Sequence, residues 1–492
     1  MKDVREWIVE ADIASMQAAM EAGRVTSEEL VQAYLERIGR YDHRINSILE
    51  INPEAVRIAR ELDQERWAKG SRGCLHGIPI LLKDNIDTAD QMHTSAGSVA
   101  LAGSIADKDS WVASRLREAG AVILGKANMT EWSNFMSSRM PAGYSSRGGY
   151  VQNPYGPGEL FVSGSSSGSA AAVAANLAAA AIGTETAGSI VGPASQHHLA
   201  GIKPTVGLVS RCGVIPISCS QDTPGPLART VADAAMILGA LTGIDERDPA
   251  TFASENRFFS DYTRFLEADF LQRARIGIPR HYYRHLDEER SAIMEEAIET
   301  LKNKGASIVD PVDIYVEEQP WNNDVICYEF KQGLNDYLSG LPDSAPVHSL
   351  KELIEYNELH AGAALKYGQD TLIRAEQNTL TEQTYWRKKE EYKAKALAEG
   401  IDHVLEKHRL DALMLPGDVD GMYIAARLGY PLVCVPAGYS QTGMTDKDGD
   451  STKGPFGVVF SGAAFSEPTL IQLACGFEQA TRRRFPPPLD EA

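Results

Sequence analysis

The chain has 492 residues, of which 43% are hydrophobic and 23% charged, with a formal charge of −19 at pH 7. That much apolar material fills a large core and excludes a disordered chain. The acidic balance argues against nucleic acid or an anionic membrane surface as partner.

In chain order, Thr26 and Glu29 form a capping box ahead of Leu30, Val31, Tyr34, Leu35 and Ile38 at helical spacing. Residues 77–82 are a short apolar run ending in Lys83-Asp84-Asn85, which predicts a buried strand with polar residues at its C-terminal end. A helix over 110–118 and a second buried strand over 121–125 follow. This strand–helix–strand alternation predicts an α/β fold with parallel pairs. Between Ser138 and Gly168 the composition turns to Gly, Ser, Pro and Tyr without periodicity, a loop of the kind that carries function. It ends in Ser163-Gly164-Ser165-Ser166-Ser167-Gly168-Ser169 and runs into a predicted helix over 170–181, followed by a small-residue turn over 183–190. From about Asp245 to Ala398 charged amphipathic segments predominate, predicting an insertion or cap. Core-like strands return at 412–416, 431–436 and 457–460. We read one domain over 1–492, with N-terminal helices to 68, a core over 70–240, a helical cap over 245–400 and further core over 405–485.

Cys74, Cys212, Cys219, Cys327, Cys434 and Cys475 have no C-x-x-C spacing and read as reduced thiols. His197 and His198 are adjacent and cannot share a face, so they read as structural, and no metal is expected. Residues 1–13 lack the apolar region of a signal peptide, and the longest apolar run, 170–182, falls short of the ~20 residues that span a bilayer. The expectation is a soluble, cytoplasmic protein.

The Ser/Gly loop alone is compatible with a linker, a phosphate cradle or a nucleophile platform. G-K-[ST] and G-x-G-x-x-G are both missing, and so is the G-x-S-x-G elbow. Ser189, preceded by glycine in the second turn, suits nucleophilic work, because consecutive backbone N–H groups there can face a developing oxyanion. The bland alternative is that Thr184 and Thr186 merely cap a turn. A serine needs a base, and no histidine has a triad context. Lys83 serves if burial keeps it neutral; otherwise it is an ordinary strand-end lysine.

Taken together, G-I-P-I-L-L-K-D-N-I-D (77–87), G-K-A-N-M-T-E-W (125–132), S-G-S-S-S-G-S-A-A-A-V-A-A (163–175), G-T-E-T-A-G-S-I (183–190) and G-I-K-P-T-V-G-L-V-S-R (201–211) resemble the amidase signature family. Further matches lie at 225–235, 429–439 and 460–470, so the resemblance covers about 60 to 480 with a divergent middle. It implies a large mixed, mostly parallel central sheet covered by helices on both faces. It also implies a cofactor-free serine hydrolase: Ser189 as nucleophile, Ser165 as a proton-relaying serine on a cis peptide bond, and Lys83 as base. Backbone N–H groups of Thr186, Ala187, Gly188 and Ser189 would hold the oxyanion. Ser167 and Ala187 stand where many members have glycine, Val191 where many have arginine, and 195–200 is unlike the usual apolar stretch.

Within the family, residues 183–190, 204–211, 215–223 and 328–331 look most like the peptide amidase branch, which releases ammonia from C-terminal peptide amides. The alternatives are aryl amides, acylanilides or carbamates on the same machinery, the amidase component of a glutamyl-tRNA amidotransferase, and a non-catalytic binding protein. The expected partner is a small-molecule or peptide amide, with no nucleic acid or membrane, and the protein a monomer or homodimer. Tyr328, Glu329 and Trp321 are candidates to line a channel, with ordinary packing as the alternative.

Overall fold

The computed structural model describes residues 4–314, 323–418, 420–446 and 449–489. Helix α1 (Ser27–Ile45) starts at the predicted capping box: Glu29 N donates to Thr26 Oγ1 at 3.1 Å, and Thr26 N to Glu29 Oε2 at 2.8 Å. Its apolar face, with Leu30, Val31 and Tyr34, packs into the main core.

Eleven strands form one sheet: β1 (Ile48–Ile51), β2 (Pro79–Lys83), β3 (Val122–Ala127), β4 (Ala180–Glu185), β5 (Ala200–Lys203), β6 (Thr223–Ala228), β7 (Arg275–Gly277), β8 (Ser307–Val309), β9 (Ala412–Pro416), β10 (Leu432–Ser440) and β11 (Gly454–Ser461). Their spatial order is β1-β3-β2-β4-β6-β5-β10-β11-β9-β7-β8. The sheet is mixed and flanked by helices. Its parallel ladders fall into two blocks, β3-β2-β4 and β9-β7-β8, while the six remaining ladders are antiparallel. The first block is the one announced by the strand–helix–strand alternation: α2 (Trp111–Glu118) separates β2 from β3 in sequence, as a parallel crossover requires. Every residue of β2, β3 and β4 is buried, which explains their continuous apolar text.

Three sequence expectations change. The alanine run is not one helix: α3 (Ser167–Ala174) ends early, Asn176 adopts φ +57°, and β4 begins at Ala180. Asn176 offsets the cost of the left-handed break with a reciprocal pair to Glu10, both bonds 2.9 Å. Beyond it, pairing of β4 between β2 and β6 overrides alanine's helix propensity. Second, the N-terminal stretch is not purely helical, since β1 closes one sheet edge. Third, residues 245–400 are not all cap. β7 and β8 extend the sheet at its other edge, and only the later helices, including α5 (Asn323–Ser339) and α6 (Glu382–Glu399), build a separate layer. Phe330, Leu334, Leu353 and Leu372 of that layer pack with Trp132 and Met136 in a second apolar cluster. Among the described residues, no helix is long and apolar enough to cross a membrane.

Candidate active site

Parallel pairing of β2 with β4 brings their C-terminal ends together, the place where open α/β sheets hold their ligands. Lys83 closes β2, and its fully buried ammonium group has three contacts: Ser165 Oγ at 2.7 Å, Thr184 Oγ1 at 3.0 Å and Thr184 O at 3.1 Å. Asn85 Nδ2 also donates to Thr184 Oγ1, at 3.0 Å. Burial pushes the Lys83 pKa down to about 7, against the opposing pull of the Asp222 and Glu185 carboxylates. A neutral amine has two N–H donors and one lone pair. With both donors on Thr184, the lone pair is left for the Ser165 hydroxyl.

The Gly164–Ser165 peptide bond is cis. Ser165 and Ser166, indistinguishable in sequence, part company here. Ser165 Oγ meets Lys83, whereas Ser166 Oγ donates to Thr184 O at 3.1 Å. Ser166 N donates to Ser189 O at 3.3 Å, so the two small-residue segments touch. Gly168 has no alternative: a Cβ there would lie 2.3 Å from both Asn128 O and Ser47 O.

The turn 186–189 follows β4 directly rather than an alanine helix. Glu185 reaches across it to accept from Ile190 N at 2.7 Å and Val191 N at 3.0 Å, at the start of α4 (Val191–Gln196). This closes the turn, and Gly188 takes its φ of +81°. Ala187 has no positive φ, so a side chain fits there without backbone strain. None of the backbone N–H groups of 186–189 donates to another described residue. Ser189 is 8% exposed, whereas Lys83 and Ser165 are fully buried, so the turn is the side of the cluster open to solvent. Ser167 uses its extra hydroxyl to donate to Ser163 O at 2.7 Å.

His197 and His198 are buried, each with one ring nitrogen on a carbonyl: His197 Nδ1 to Pro193 O at 2.8 Å, His198 Nε2 to Gly438 O at 2.7 Å. Their second nitrogens, His197 Nε2 and His198 Nδ1, have no partner among the described residues. Protonation would place an unpaired N–H in the interior, so burial pushes both pKa values down to about 4. An unfolded histidine titrates near 6.5, so the unfolded chain binds more protons between about 4 and 6.5. The stability that these rings supply is complete above pH 6.5 and is lost as pH falls towards 4. His197→Phe is expected to flatten the fall of Tm over that window relative to the wild type; parallel Tm–pH curves would exclude this role.

The profile of the amidase family matches residues 29–471. The chain belongs to the amidase family. It is 41% identical to a probable amidase of Arabidopsis thaliana over 98% of this chain and 92% of that protein. The solved peptide amidase of Stenotrophomonas maltophilia superposes with a TM-score of 0.88 at 43% identity, covering 98% of this chain and 99% of that one. A glutamyl-tRNA(Gln) amidotransferase chain of Halorhodospira halophila is 40% identical, but over only 61% of this chain and 60% of its own length. This amidase-family chain is therefore an amide-hydrolysing enzyme.

Some groups around the candidate site have a larger part than the sequence suggested, or were not singled out by it. Thr184 is more than a turn cap, since it takes two of the three contacts of Lys83. Asp222 Oδ1 accepts from Thr186 Oγ1 at 2.6 Å, and burial pushes its carboxyl up to about 6. A signal existed: Glu185 and Asp222 are acids inside otherwise small or apolar motifs, where an uncompensated charge is costly. Of the channel candidates, Tyr328 stacks on Tyr385 at 4.6 Å between ring centroids, Glu329 is buried, and Trp321 lies outside the described residues.

Proposed function

We propose that the enzyme hydrolyses the terminal carboxamide of peptides, or related small amides, with release of ammonia. Ser189 is the nucleophile, Ser165 the relay and Lys83 the base. The observation that carries this reading is the fully buried 2.7 Å contact between Lys83 Nζ and Ser165 Oγ, on a lysine held near neutrality. Neutral Lys83 takes the Ser165 proton while Ser165 takes the proton of Ser189. The freed Ser189 oxygen attacks the amide carbon, and the carbonyl oxygen gains negative charge. The N–H groups of Thr186, Ala187, Gly188 and Ser189, which have no other acceptor among the described residues, are the donors assigned to hold it. Reversal of the relay protonates the leaving nitrogen, ammonia departs, and water cleaves the acyl-enzyme by the same path. No step calls for a metal or organic cofactor.

Near end-to-end similarity to a peptide amidase supports terminal peptide amides as the substrate class. The tRNA amidotransferase reading has weaker support, because its sequence match covers only 61% of the chain, against 98% at 43% identity for the peptide amidase. A panel of peptide amides, free amino-acid amides and aryl amides, assayed for ammonia and for aniline, tests the choice. Ammonia from peptide amides at the highest kcat/KM is expected. Faster release of aniline would move the enzyme to the aryl amidases.

A further inference from the structure

We propose that Glu329 in the cap is a positioning residue for the oxyanion turn, acting through residues 217–222 and the Asp222 carboxylate. The inference rests on the function proposed above. Its basis is an unbroken chain of short contacts from α5 to Thr186. Glu329 is buried, and its Oε2 accepts from the Ser218 hydroxyl, from Ser220 Oγ at 2.9 Å and from Ser220 N at 3.3 Å. Its Oε1 accepts from Tyr385 OH at 2.6 Å and faces Lys389 Nζ at 3.4 Å, both on α6. A single carboxylate thus ties α5 and α6 to one loop.

That loop is in turn wrapped on Asp222, whose Oδ2 accepts from Ile217 N at 2.7 Å and Ser218 N at 2.8 Å. The other oxygen, Oδ1, accepts the Thr186 hydroxyl at 2.6 Å. Thr186 opens the turn whose N–H groups are the oxyanion donors of the function proposed above. Ser218 stands on both steps: its hydroxyl goes to the cap and its N–H to Asp222. Two further charges act on Asp222 and Lys83, namely Arg211, which favours the Asp222 carboxylate, and Glu185, which favours charged Lys83. Neither bridges to the cap.

An oxyanion donor works only where the oxyanion will lie, and a misplacement of about 1 Å can cost about a hundredfold in rate. Loosening the clamp should therefore lower kcat more than it raises KM. Glu329→Gln is expected to lower kcat on the preferred peptide amide by about tenfold or more and to leave KM within about twofold. The pair Ser218→Ala/Ser220→Ala cuts the same link from the loop side without entering the cap. It is expected to match that loss, and combining it with Glu329→Gln should add nothing further. Kinetics of the three variants beside wild type, with Tm for each, decide the matter. Variants within twofold of wild-type kcat, or losses that multiply, overturn the inference. A wild type that turns over no amide overturns the proposed function and the inference together, whereas an active wild type with unaffected variants overturns the inference alone.

Discussion

Ser189→Ala should leave a folded protein with no measurable amide turnover. The side chain is small, 8% exposed, and its hydroxyl makes no hydrogen bond to another described residue, so removing one oxygen opens little cavity and strands no partner. A truncation that creates neither a large cavity nor an unsatisfied buried group avoids the causes of severe destabilisation, so a loss of no more than ~1 kcal/mol is expected. The chemical consequence is of another order. On the proposed mechanism the Lys83–Ser165 pair is left with nothing to deprotonate, and losing a serine nucleophile costs on the order of 10⁶ in kcat. Single-turnover ammonia release, with Tm as the control for folding, gives the comparison. A serine-directed fluorophosphonate provides a second reading, with the wild-type adduct expected on Ser189 by mass spectrometry. An adduct on Ser165 or elsewhere would remove Ser189 from its role.

How much of this was legible depended on how local the cause was. The capping box of α1 and the buried strands β2 and β3 are written in a few adjacent residues, and the structure places them where the text does. The alanine run misleads because residues 170–182 carry one composition through two structures, and the break sits on a single asparagine whose partner, Glu10, is 166 positions away. Strands β7 and β8 have three residues each, too short for any period to register. At the site, glycine and serine spacing marks the two segments but not which serine faces Lys83, because that is decided by Thr184 occupying Ser166. Glu329 was named only as a channel candidate. Its meaning lies in Ser218 and Ser220, more than a hundred residues earlier, and no sequence window contains both.

Lys83→Met should abolish most activity while costing the fold nothing. Methionine has nearly the length of the lysine stem and fills the same fully buried space. Lys83 is neutral in the fold above its pKa of about 7 but charged in the unfolded chain up to about 10.5. The unfolded state therefore binds more protons between those values, and at pH 7 the lysine lowers stability by several kcal/mol, a penalty that fades as pH rises to 10.5. Removing it relieves that penalty and offsets the loss of its hydrogen bonds to Thr184 O, Thr184 Oγ1 and Ser165 Oγ, so the variant should melt no lower than wild type. On the proposed mechanism catalysis loses its base, a group worth ~10²–10⁴ in rate. The pH profile separates base from bystander. In the wild type only neutral Lys83 can accept the proton from Ser165, so kcat/KM should rise with pH through an apparent pKa near 7. In the variant the residual rate should lack that limb. A Lys83→Met enzyme with wild-type turnover at pH 7, or with the limb intact, would assign the base elsewhere and leave the 2.7 Å contact with Ser165 a matter of packing.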